Sequence, residues 1–265
     1  MPLTGFKKTS FDYQGKTYPV FRIGEGPGVI IIHEIYGLTP KVAEFGRRIA
    51  DAGFTSVLPS LFGTPGRAPS FPYVMRQVIR ICISREFHVL ASGHSSPITN
   101  ALRALCREIH KELGGPGVGA IGMCLTGNFA LSLMVDPVVM APVLCQPSLP
   151  FAFTPSQRNS IHLSNEDIKA VKARVDNGVN LLGLRFSDDF VCPAQRFKRL
   201  KQEFGDGFES IVIDSSPGNP HHIPRRAHSV LTEDLVDKDG HPTRQALERV
   251  IFFFQEKLMA SGSDQ

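Results

Sequence analysis

The residues with the most chemical promise stand in one tight turn, Gly122-Met123-Cys124-Leu125-Thr126-Gly127. Before it runs a short, apolar, β-compatible stretch, Val118 to Ile121. After it, from Asn128, Phe129, Leu131, Leu133 and Met134 lie in a helix-permissive run. A strand that reverses into a helix within a few residues holds its central residue in a strained conformation, and small neighbours two positions away let the backbones pass. Gly122 and Thr126 fill those positions around Cys124. Such a turn lifts one side chain above the sheet edge and aims a helix N-terminus beneath it, where the positive dipole end favours a thiolate. Cys124 therefore reads as a nucleophile. A lone cysteine at a glycine-flanked strand end is otherwise most often a buried packing residue, so the reading depends on partners elsewhere in the chain.

A cysteine nucleophile needs a base and a carboxylate that orients it, and in the strand-turn-helix arrangement these follow in the order nucleophile, acid, histidine. The apolar strand Leu181 to Phe186 is followed by Ser187-Asp188-Asp189-Phe190-Val191-Cys192-Pro193, which offers Asp188 and Asp189. After the last expected strand, which ends near Ile213, come His221, His222 and His228. The three histidines could also form a metal cluster, but no carboxylate or cysteine stands at ligand spacing, and no metal is expected. Gly117-Val118-Gly119-Ala120-Ile121-Gly122 matches the dinucleotide fingerprint GxGxxG. That motif should follow a strand and open a helix; here it begins just after the breaker Gly114-Gly115-Pro116 and ends where a strand finishes. No nicotinamide or other organic cofactor is expected.

With the elbow, the acid loop and His228-Ser229-Val230 in place, most of the chain, from Val29 to the last helix, resembles the dienelactone hydrolase family of the α/β-hydrolase fold. Its elbow is Gly-x-Cys-x-Gly, commonly followed by another glycine, and Gly122 to Gly127 matches except at Thr126. Its acid lies in an Asp-x-x-Val-Pro-like loop, which Asp188-Asp189-Phe190-Val191 matches with one residue inserted before Pro193, and this match implies Asp188 as the acid. The resemblance likewise implies His228 as the base. It also implies Glu34, in His33-Glu34-Ile35-Tyr36-Gly37, as the carboxylate that pairs with the resting thiol and accepts its proton when substrate binds. The backbone N–H groups of Leu125 and Ile35 would by the same likeness form the oxyanion hole, contributing about 3 kcal/mol per donor. Tyr36 and Arg85 are the expected substrate-binding side chains. The arginine that family members place four residues after the histidine is Thr232 here, which sets dienelactone itself apart as a substrate. The implied chemistry is acyl transfer from an ester or lactone to Cys124, then hydrolysis. A thioesterase or a general carboxylesterase would use the same residues. A non-catalytic small-molecule binder on the same fold is the alternative from another class, although such a protein normally loses one of the three catalytic residues.

The elements that must position these residues alternate. Phe11 to Tyr13 and Tyr18 to Ile23 read as an opening hairpin about Gln14-Gly15-Lys16, and Val29 to Ile32 as a strand buried on both faces. Helices are expected over Pro40 to Ala52, Pro97 to Leu113, Asn165 to Val175, Ala194 to Phe204 and Thr243 to Leu258. Further strands are expected over Phe54 to Leu58, Val138 to Leu144, Asn180 to Phe186 and Phe208 to Ile213. Pro59 to Phe71 reads as a long loop, and Gln146 to Pro155 as a proline-punctuated connection beside the site. This pattern predicts one α/β domain over residues 1–265, a mostly parallel central sheet with helices on both faces.

Composition bounds the rest. Net charge is +4 with the basic residues scattered, so no nucleic-acid partner is expected. Five cysteines at irregular spacing suggest neither disulfides nor a zinc knuckle. The absence of an apolar leader or of a run near 18 residues predicts no membrane association and a cytoplasmic location. The expected partner is a small-molecule ester or lactone.

Overall fold

Strand β3 (Gly28–Ile32) is buried at every position, and its side chains divide between two cores. Val29 and Ile31 join one apolar cluster, while Ile30 and Ile32 join another on the opposite face, as the two-residue period of a strand requires. The computed structural model that shows this describes residues 2–70, 72–77 and 97–259; Cys82 and Arg85 lie outside the described residues. The elements around β3 are β1 (Lys7–Tyr13), β2 (Lys16–Ile23), α1 (Pro40–Asp51), β4 (Thr55–Pro59), α2 (Pro97–Leu113), β5 (Val118–Met123), α3 (Gly127–Leu133), β6 (Val139–Cys145), α4 (Pro155–Asn159), α5 (Asn165–Asp176), β7 (Leu181–Phe186), α6 (Ala194–Phe204), β8 (Phe208–Ile213) and α7 (Pro242–Leu258).

The strands form an eight-stranded sheet in the order β1-β2-β4-β3-β5-β6-β7-β8. β2 pairs antiparallel with β1 and β4, and every pairing from β4 to β8 is parallel. Helices α1 and α7 supply Val42, Phe45, Ile49, Val250, Phe253 and Phe254 to the core on one face. On the other, α2 brings Ile98, Leu102, Leu105 and Ile109, and α3, α5 and α6 close a third cluster with Leu131, Val171 and Leu200. The expected doubly covered, mostly parallel sheet is what the chain forms.

Two sequence features find their physical reason here. Thr39 caps α1 by accepting the Val42 N–H at 3.2 Å with Pro40 at the first turn, a start signal that fixes where the loop after β3 ends. The GxGxxG run is β5 itself with Gly117 just before it, not a strand-to-helix turn. A Cβ on Gly119 would stand 2.9 Å from the Phe254 ring, so this glycine lets α7 approach the sheet. β3 and β5 are neighbours, yet the chain leaves them toward opposite edges of the sheet. This is the switch point outside the carboxyl ends of the strands, where open α/β sheets bind ligands.

Candidate active site

At the end of β5 the chain turns sharply through Cys124, whose φ is +57°, and enters α3 after a single 3-10 turn, Cys124–Thr126. A Cβ at Gly122 would lie 2.0 Å from the Thr126 carbonyl oxygen, and one at Gly127 would lie 2.5 Å from Pro147 Cα. Both positions therefore require glycine. Thr126 tolerates its side chain because the hydroxyl has work at the turn: it accepts the Met123 N–H at 3.1 Å and lies 3.0 Å from the Ile32 carbonyl and 3.1 Å from that of His33. It thus ties the elbow to the end of β3.

His228 reaches Cys124 from the loop after β8. Its Nδ1 lies 2.7 Å from Asp189 Oδ2, and the Ser148 hydroxyl touches both its Nε2, at 3.3 Å, and the Cys124 thiol, at 3.7 Å. Burial alone would lower its proton affinity; the negative charge at Cys124 and the hydrogen bond that the ring donates to Asp189 outweigh that and raise its pKa well above 6.5. The loop that carries it is fixed by Asp234, whose Oδ2 accepts the His228 and Ser229 N–H groups, both at 2.8 Å.

The acid facing His228 is Asp189, which corrects the expectation of Asp188. Asp189 is buried, and its Oδ1 accepts the Val191 and Cys192 N–H groups at 2.9 and 3.2 Å, which turns Oδ2 toward the imidazole. Asp188 points the other way, to Arg225 at the surface, with Nε 3.0 Å from its Oδ2. Successive side chains at a strand end diverge, so only one of the pair can face inward. Arg185, itself buried, fastens this loop through the Cys192 and Ser187 carbonyls.

Glu34 also departs from expectation. Its Oε1 accepts from Gln146 Nε2 and from the Thr232 hydroxyl, both at 3.0 Å, while Oε2 has no partner among the described residues. Its carboxyl is not hydrogen bonded to the thiol. Complete burial raises its pKa above the ordinary glutamate value, with the positive charge at His228 opposing. Thr232, where the resemblance would place an arginine, is thus turned inward to Glu34. Beside it, buried His33 accepts the Leu61 N–H at Nε2 and so carries its proton on Nδ1, which donates to the Glu34 carbonyl at 2.7 Å; burial lowers its pKa to about 4.

Cys124, Ile35, Leu125 and Leu149 form a small apolar cluster flanked by Tyr36, Phe62 and Phe151. This puts the residues of both expected oxyanion amides, and Tyr36, beside the thiol. Burial, and then the charge at Cys124, raise the Tyr36 phenol above its ordinary pKa. Arg85 lies outside the described residues. His221 packs against His241, ring centroids 5.2 Å apart, and among the described residues no group of three His, Cys, Asp or Glu side chains is placed to hold a metal. The described cysteines, Cys106, Cys124, Cys145 and Cys192, are free and buried. Among the described residues no helix is long and apolar enough to cross a membrane.

Three polar neighbours of the site were not legible in the sequence. Ser148, with its Oγ 3.3 Å from His228 Nε2, Gln146 and Asp234 are common polar residues in loops, and only the folding of distant segments onto the elbow gives them partners. The sole signal was the Gln146 to Pro155 connection, expected beside the site.

The sheet order, the elbow after β5 and the acid and histidine on the loops after β7 and β8 define an α/β-hydrolase fold. A family model described as the dienelactone hydrolase family matches residues 17–258, and the chain belongs to that family. A Saccharomyces cerevisiae protein named "Putative carboxymethylenebutenolidase" is 32% identical over 113 residues, 42% of this chain and 39% of that protein, so the match spans about two fifths of the relative. Among solved structures, the dienelactone hydrolase of Anabaena variabilis superposes with a TM-score of 0.61 at 13% identity, covering 96% of this chain and 99% of the other. A dienelactone hydrolase-like promiscuous phosphotriesterase from metagenomic libraries gives 0.65 at 16%, covering 96% and 98%. At such identities these structures show a shared fold.

Proposed function

We propose that this protein is a cysteine-dependent hydrolase of small ester or lactone substrates, with Cys124 as nucleophile, His228 as base and acid, and Asp189 as the orienting carboxylate. One observation carries the reading: a cysteine held at φ +57° at a strand-to-helix elbow, joined through the Ser148 hydroxyl to an imidazole that is itself hydrogen bonded to a buried carboxylate. A packing cysteine requires neither the strain nor the partners. Family membership supports hydrolase chemistry of the ester or lactone type.

In the proposed reaction His228 holds the proton of Cys124, and the thiolate attacks the substrate carbonyl carbon. The oxyanion is met by the Leu125 and Ile35 N–H groups. As the C–O bond breaks, His228 returns its proton to the departing oxygen, which stays tethered when the substrate is a lactone. A thioester on Cys124 remains. His228 then takes a proton from water, the hydroxide displaces the thiolate, and the carboxylic acid leaves. Glu34, whose Oε2 has no partner among the described residues, is the further proton acceptor beside His228. The wall of Leu149, Phe62, Phe151 and Tyr36 suits an uncharged acyl group, and Thr232, engaged with Glu34, offers no cation to a substrate carboxylate.

Hydrolysis of short-chain nitrophenyl esters and simple enol-lactones, with and without stoichiometric iodoacetamide and beside Cys124→Ala, tests the reading. Alkylation of Cys124 and its replacement should each abolish turnover. No wild-type turnover together with no selective labelling of Cys124 would favour a small-molecule binding protein instead.

A further inference from the structure

Ser148 stands where the nucleophile and the base meet, and nothing in the triad requires it. It is 1% exposed. Its Oγ lies 3.3 Å from His228 Nε2, 3.7 Å from Cys124 Sγ and 3.0 Å from the Gln146 carbonyl, and its own N–H donates to the Cys124 carbonyl at 3.0 Å. The neighbours on both sides are pinned. Gln146 N–H donates to the Leu184 carbonyl at 2.8 Å, Asn128 donates to the Leu149 carbonyl, and Arg196 takes the Pro147 and Pro150 carbonyls. The hydroxyl is therefore fixed against the reacting pair and not free to swing away.

We propose that Ser148 is a positioning residue whose hydroxyl holds the His228 imidazole beside Cys124 through both halves of the reaction. The inference rests on the cysteine hydrolase reading. A hydroxyl can donate and accept, and the two halves need one of each. While Cys124 is a thiolate and His228 an imidazolium, Oγ accepts from Nε2–H and shares its one proton between the thiolate and the Gln146 carbonyl. Once the sulfur is acylated its charge is gone, and with it the main attraction that kept the ring in place. His228 is then neutral with a bare Nε2, and the same hydroxyl turns to donate to it, holding the ring in place until the hydrolytic water displaces the hydroxyl at that lone pair and gives Nε2 its proton. No proton passes to or from Ser148 in net. Asp189, Glu34 and Tyr36 face the pair, with Cys145 behind Gln146 and Glu233 and Asp234 on the histidine loop; Ser148→Ala leaves them all in place.

The test is the pH dependence of Cys124 alkylation by iodoacetamide, with stopped-flow acylation and steady-state turnover of a nitrophenyl ester, for the wild type, Ser148→Ala and Ser148→Thr. Loss of one hydrogen bond to a charged group should move the acid limb of alkylation upward by about one pH unit in Ser148→Ala. Turnover should fall about tenfold, with the loss larger in deacylation than in the acylation burst. Ser148→Thr, which keeps the hydroxyl, should hold the wild-type limb. An alkylation profile for Ser148→Ala that superposes on the wild type would overturn the inference even if turnover drops, since a turn that merely packs badly does not shift a titration. An equal shift in both variants would assign the effect to packing and overturn it too. Cys124→Ala runs alongside: if it keeps turnover, the cysteine reading fails on its own account, whereas an inactive Cys124→Ala with an unshifted Ser148→Ala removes Ser148 alone.

Discussion

Asp188 and Asp189 differ by one position and share a loop, yet Arg225 at the surface takes the first and half-buried His228 the second. Asparagine at 189 keeps the size but not the charge, and it leaves the imidazole free to adopt the wrong tautomer. Asp189→Asn should lower kcat for a nitrophenyl ester about 10²- to 10⁴-fold, while Asp188→Asn, which loses an exposed pair, should stay within about twofold. Equal losses in the two variants would return the role to the loop as a whole. The elbow cysteine stood out by residue type and spacing, because a glycine-flanked elbow has few other uses, whereas chain order left three histidines open and only the family resemblance singled out His228. The acid could not be resolved between neighbours: the choice is made by two N–H groups, of Val191 and Cys192, that converge on Asp189 only in the folded loop. Glu34 shows the same limit. Its position after β3 was legible, but its engagement with Gln146 and Thr232 brings together segments more than a hundred residues apart in sequence.

Most of the elements were legible because their periods are strong: four consecutive apolar residues in Val29 to Ile32, and α2 with one face of Ile98, Leu102, Leu105 and Ile109. α4 (Pro155–Asn159) was not, since five residues are too few to show a period, and it is held by the Thr154 cap and by contacts made elsewhere. The strongest of those comes from α6. Arg196 is wholly buried, and its guanidinium donates to the carbonyls of Pro147, Pro150, Gln157 and Ser160. One side chain thus closes the segment from the end of β6 through α4 over the sheet edge, Ser148 included, and no lysine has the fork to replace it. Arg196→Met should destabilise the protein by about 2–4 kcal/mol, since it strands buried carbonyls, and Arg196→Lys should recover only part of that. Limited proteolysis should then cut first within residues 147–160. Arg158→Met, which loses one exposed bond to the Ala152 carbonyl, is the control. A cleavage pattern for Arg196→Met that matches the wild type would mean that the segment is held by its apolar contacts alone.

At the scale of the whole molecule, the buried titratable groups give stability a pH dependence whose two sides have different origins. On the acid side stand His33 and His162, both lowered by burial from 6.5 to about 4. Between those values the unfolded chain binds protons that the native protein refuses, so stability falls as pH drops from 6.5 toward 4, by about 3 kcal/mol for the fully buried His33 ring and by less for His162. On the alkaline side His228 acts in the opposite sense. Its pKa is raised, so the stabilisation from its partners is complete below 6.5 and is lost as pH climbs through the folded value. Glu34, raised above 4.5 by burial, adds a decline in the same direction, since the native state keeps a proton that the unfolded chain releases. Urea midpoints measured from pH 4 to 9 should therefore trace a dome. His162 isolates one contribution: it is far from the elbow in sequence, its Nε2 has no partner among the described residues, and its φ of +59° is one that asparagine tolerates. His162→Asn should flatten the acid side by roughly one proton's worth of slope and leave the alkaline side unchanged. An acid limb as steep as that of the wild type would show that His162 takes up its proton without unfolding, and would leave His33, locked between the Leu61 N–H and the Glu34 carbonyl, as the buried ring that sets the acid limit.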